Sequence, residues 1–91
     1  MPRRKQCRCL FEPSVLYFKP RGIRLRHLTE EVLFPYELEA LKLHDVDGLQ
    51  QVEAAEKMGI SQPTFARILD KTYKKIARAL IGGKAIVIQE K

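Results

Sequence analysis

A chain of 91 residues is one small domain, with room for a single core but not for an ordinary catalytic cleft between two layers. Its 45% apolar and 31% charged residues are the composition of a folded protein rather than a disordered one. No apolar run approaches the roughly 20 residues that a membrane span needs, and the basic start "MPRRKQCRCLFEP" lacks the apolar stretch of a leader, so the expectation is a cytoplasmic protein.

The net charge of +6 is sorted along the chain. Residues 1–28 carry eight Lys/Arg against Glu12 alone, residues 29–60 two against eight acids, and residues 61–91 seven against two. The segments therefore stand at +7, −6 and +5. Positive charge gathered on particular elements is what a phosphate-facing surface requires.

Residues 1–28 read as a basic, proline-containing arm broken by Pro2, Pro13, Pro20 and Gly22, with a short strand-like alternation in "VLYF". Phe11, Tyr17 and Phe18 indicate that part of the arm docks on the domain. Cys7 and Cys9 stand too close together to staple distant segments and closer than a C-x-x-C pair, so they read as reduced thiols, with no metal expected.

Residues 29–91 read as the folded domain. Pro35 suits a first helical position, and Leu38, Ala40, Leu41 and Val46 give a stripe that predicts a helix over 35–47, stopped at Gly48. Val52, Ala55 and Met58 predict a second helix over 50–58, ending at Gly59. Ser61 offers a cap oxygen and Pro63 a first-turn residue to a third, over 61–81, whose stripe is Phe65, Ile68, Leu69, Thr72, Ile76 and Leu80. Gly82-Gly83 stops it, and "KAIVIQE" predicts a strand over 84–89. The expected fold is mainly α: a three-helix helix-turn-helix domain with an extended basic N-terminal arm and a short C-terminal β-strand.

The tight break at "MGIS" carries the functional reading. A helix-turn-helix holds its second helix out so that it enters the DNA major groove. It needs a small residue where the helices cross (Ala55), a turn residue tolerant of positive φ (Gly59), a plug at the corner (Ile60) and inward residues on the second helix (Phe65, Ile68). Gln62, Thr64 and Arg67 then point at base edges: Arg67 suits a bidentate pair to guanine and Gln62 one to adenine, each worth about 1–3 kcal/mol of discrimination. Ser61, Lys71, Lys74, Lys75 and Arg78 suit phosphate contact, as do Arg3, Arg4 and Lys5 of the arm. Glu37, Glu39, Asp45, Asp47, Glu53 and Glu56 would face away from DNA or pair with the protein's own bases.

The segments "YELEALKLHDVDGLQQVEAAEKMGISQPTFARIL" and "KIARALIGGKAIVI" resemble a small prokaryotic family known chiefly as predicted DNA-binding proteins of unknown function, and the helix-turn-helix is similar to region 4 of sigma factors. The resemblance covers nearly the whole chain and implies DNA binding in transcription control. Two departures stand out: Phe34-Pro35 occupies the place of a polar helix cap, and Pro63 that of a polar recognition-helix residue.

The expected function is sequence-specific binding of double-stranded DNA by a transcriptional regulator. A homodimer is expected, because one such unit reads few base pairs. The alternative is a protein-interaction module that uses a sigma-like fold to bind RNA polymerase or another regulator. No enzyme and no cofactor are expected: His27 and His44 have no partner at ligand spacing, and no nucleophile, phosphate loop or carboxylate pair appears.

Overall fold

Three helices and a three-stranded sheet are built from residues 10–24 and 27–89, the residues that the computed structural model describes. The first helix, α1 (Pro35–Leu41), begins with Pro35 in its first turn and has Phe34 at its cap. The missing polar cap is supplied from inside the helix: the Glu37 carboxylate reaches back and accepts the Phe34 N–H at 3.0 Å, the return half of a capping box.

The predicted helix over 35–47 changes character part-way. Lys42–Val46 is a π-helical turn, closed by the Asp47 N–H on the Lys42 carbonyl at 2.8 Å. The wider turn shifts the helical phase, so Leu43 enters the core and Val46, expected on the buried stripe, is 76% exposed. His44 is used in packing: its Nδ1 lies 2.8 Å from the Leu49 carbonyl and its ring meets Phe65 edge-on.

The second helix, α2 (Gln51–Met58), starts with the Gln50 N–H on the Glu53 carboxylate at 3.0 Å. Ala54, Ala55 and Met58 are buried, while Val52 faces outward, contrary to the expected stripe. Gly59 ends the helix at φ +71°. That left-handed turn lets the Ile60 N–H reach the Ala55 carbonyl at 3.0 Å, closing the helix end in a Schellman arrangement.

Only two residues separate this glycine from α3 (Gln62–Gly82), for which Ser61 is the cap. The Ser61 Oγ accepts the Thr64 N–H at 3.3 Å. Phe65, Ile68, Leu69, Thr72 and Ala79 face inward. The Thr72 hydroxyl satisfies itself by donating to the Ile68 carbonyl at 2.7 Å. Leu80, expected on this stripe, is exposed because the inward spacing passes from Thr72 to Ala79. The core beneath α3 joins Ala40, Leu43, Ala54, Ala55 and Met58 to Phe65, Ile68 and Leu69, so each helix contributes apolar side chains to one cluster.

The expected C-terminal strand is the middle of a three-stranded sheet, and the strand-like alternation of "VLYF" supplies one of its edges. β1 (Tyr17–Phe18), β2 (Glu30–Leu33) and β3 (Ala85–Ile88) lie in the order β1-β3-β2. Tyr17 pairs with Val87 in the antiparallel half, and Glu30 with Ala85 and Leu33 with Ile88 in the parallel half. A parallel pair demands a long crossover, which the three helices provide. The arm docks as expected, but through its backbone: the Phe11 N–H donates to Glu39 at 2.8 Å and the Leu16 carbonyl accepts the Ile88 N–H at 2.8 Å. The Phe11, Tyr17 and Phe18 rings stay exposed.

Candidate nucleic-acid interface

The residues singled out for base and phosphate contact fall mainly on α3, and the structure divides them. Thr64, Arg67, Lys71, Lys74 and Arg78 succeed one another at helical spacing beside the buried stripe, and Gln62 stands at the first turn. Gln62 is exposed, and its Nε2 donates to the Oε1 of Gln51, the first residue of α2, at 3.4 Å. Thr64 is half-buried and completes the cap by accepting the Ser61 hydroxyl at 2.9 Å, which leaves its own O–H to donate. Arg67 and Lys71 are exposed and make no ion pair among the described residues.

The other three bases of α3 are engaged. Lys74 pairs with Asp70 at 3.1 Å across one turn, both side chains open to solvent, where such a pair holds weakly and yields to a stronger anion. The Arg78 guanidinium donates to both oxygens of Glu31, at 3.1 and 3.3 Å, and Lys84 adds a third contact at 3.1 Å. These hydrogen bonds, Arg78 first and then Lys84, hold the Glu31 carboxyl down at about 2 and raise Arg78 in turn.

Lys75, expected at phosphate, is engaged inside the protein instead. Its ammonium donates to the Glu37 carboxylate at 2.8 Å and the Val32 carbonyl at 2.7 Å, and lies 4.6 Å from the centre of the Phe34 ring. Glu37 is 1% exposed and the Lys75 side chain 19%, so this is an internal charge pair that ties α3 to α1 and β2. The sequence carries the signal: Lys75 comes three residues after Thr72 and four before Ala79, on the flank of the buried stripe.

The acids of the middle segment are used structurally. Glu39 holds the arm, Asp47 pairs with Lys42 at 2.7 Å, and Asp45 accepts the Tyr73 hydroxyl at 2.6 Å. Partial burial, with that hydrogen bond second, pushes the Tyr73 phenol up to about 12. Sequence reasoning missed Gln51, whose only signal was its place at the head of the helix before the turn, and Glu31, whose partners lie 47 and 53 residues away. Arg3, Arg4 and Lys5, with Cys7 and Cys9, lie outside the described residues. Among the described residues no His, Cys, Asp and Glu gather in a metal-binding group, and no helix is long and apolar enough to cross a membrane.

Residues 1–90 match the family described as "Protein of unknown function DUF134". The chain belongs to this family. It is 50% identical over 90 residues to a UPF0251 protein of Moorella thermoacetica, a match that covers 98% of this chain and 60% of that one. A UPF0251 protein of Thermoanaerobacter pseudethanolicus is 47% identical, with 98% and 76% covered, and one of Dehalococcoides mccartyi 50% identical, with 98% and 77% covered. The DUF134 segment thus spans between three-fifths and about three-quarters of these relatives' lengths. No solved structure matches the chain.

Proposed function

We propose that this protein binds double-stranded DNA sequence-specifically as a transcriptional regulator, with α2, the Gly59 turn and α3 forming a helix-turn-helix. The observation that carries the reading is the turn itself: Gly59 and the Ile60–Ala55 bond end α2, a capped α3 starts two residues later, and its first turns expose Gln62, Arg67 and Lys71. Those side chains are of the types that read base edges and phosphates in a major groove. A homodimer on paired half-sites about one helical turn apart gives the site enough base pairs to be useful.

The test is retention of random genomic fragments by the purified protein at several salt concentrations, with sequencing of the fragments that stay bound. Enrichment of a paired site, lost on Arg67→Ala, with affinity falling steeply as salt rises, is the expected result. Weak retention with no enriched site would overturn the reading and favour a protein partner such as RNA polymerase.

A further inference from the structure

Gln51 sits at the first position of α2 and Gln62 at the first position of α3, eleven residues on, and the tight turn between the helices brings their amides to 3.4 Å. We infer that Gln51 is a positioning residue for base recognition: its carbonyl oxygen holds one N–H of Gln62 and so fixes which way the Gln62 amide faces. This inference rests on the DNA-binding reading above.

A glutamine amide carries two N–H donors and one carbonyl oxygen. With one N–H committed to Gln51, Gln62 presents one donor and one acceptor, the complement of adenine N7 and N6 in the major groove. Turned over while Gln51 keeps this orientation, the same amide would set its oxygen against the Gln51 oxygen, an unfavourable pairing, and Gln51→Glu, with acceptors only, removes the alternative in which both amides turn. Gln62 is exposed and makes no other hydrogen bond among those described, so nothing else orients its end. Gln51 is half-buried, which holds the brace steadier than a freely mobile surface chain would. The Gln50 N–H beside it is already satisfied by Glu53, so the Gln51 amide is not drawn into capping its own helix at that position.

The experiment is selection of bound duplexes from a randomised library by the wild type, Gln62→Ala, Gln51→Ala, Gln51→Glu and the double Ala variant, with thermal melts on each. The base position read by Gln62 is the one whose preference disappears in Gln62→Ala. Gln51→Ala should reduce the preference there by about tenfold and leave the other positions unchanged. Gln51→Glu, which keeps an acceptor for the Gln62 N–H, should restore the preference while lowering overall affinity through its charge. In the Gln62→Ala background, Gln51→Ala should change nothing further at that position. A uniform loss across all sequences, or an effect that persists without Gln62, would overturn the positioning role. A wild type that prefers a site but is indifferent to Gln51→Ala overturns this inference alone, whereas a wild type with no preferred site overturns the DNA-binding reading and this inference with it.

Discussion

Replacing Lys75 separates the two roles that a lysine on this helix can have. Its ammonium is 2.8 Å from a Glu37 carboxylate that is only 1% exposed, so Lys75→Ala leaves a buried negative charge with the Phe34 N–H as its remaining partner. Breaking a buried pair from one side costs about 3–5 kcal/mol, and the 19% opening of Lys75 to solvent places this one near the lower end. For a domain of this size, about 3 kcal/mol lowers Tm by roughly 12–24 °C. The double variant Glu37→Gln/Lys75→Met should recover most of that loss, since glutamine still accepts the Phe34 N–H and no charge is stranded. Calorimetry or thermal melting monitored by circular dichroism reads the series. Lys71→Ala is the companion: no stability change beyond about half a kcal/mol, but a fall of about one in the slope of log affinity against log salt. A Lys75→Ala protein that melts like the wild type and loses salt-dependent DNA affinity would refute the assignment of Lys75 to the interior.

The geometry sets three further outcomes. Gly59→Ala forces an L side chain to φ +71° and should cost on the order of 1–2 kcal/mol in denaturant unfolding, with DNA affinity falling as α3 loses its set. Because Glu31 is lowered from the usual 4.5 to about 2, its contribution is complete above pH 4.5 and drains away as pH falls toward 2; Glu31→Gln should therefore be less stable than the wild type at pH 6 and indistinguishable near pH 2. Tyr73 is raised from 10 to about 12, so the folded state favours its neutral phenol and loses that stability as pH climbs from 10 through 12; ultraviolet titration should show a late phenol ionisation that disappears in Tyr73→Phe and moves earlier in Asp45→Asn.

The helices were legible in the sequence because each advertises itself locally, by three- and four-residue apolar spacing and by Pro35, Gly59, Ser61 and Gly83 at the ends. Features that depend on remote partners were not legible. β2 is four residues long, opens with two glutamates, and pairs with a strand 55 residues further on, so no local alternation marks it. The π turn at Lys42–Val46 displaces Val46 without any breaker residue to announce it. Among the candidate site residues, those on the exposed face of α3 could be chosen by spacing, while the engagement of Lys75 and Arg78 depends on acids 38 and 47 residues distant. Charge alone cannot tell a lysine that waits for phosphate from one that neutralises a buried carboxylate.

The sheet order sets a schedule for synthesis. β1 and β2 have no hydrogen bonds to one another, and each finds its partner only in β3. A nascent chain therefore makes all three helices before Ala85–Ile88 emerges, with two strand segments waiting unpaired on the ribosome. The register of Tyr17–Phe18 against β3 is fixed in the same final step, although the bond from the Phe11 N–H to Glu39 can already hold the start of the arm on α1.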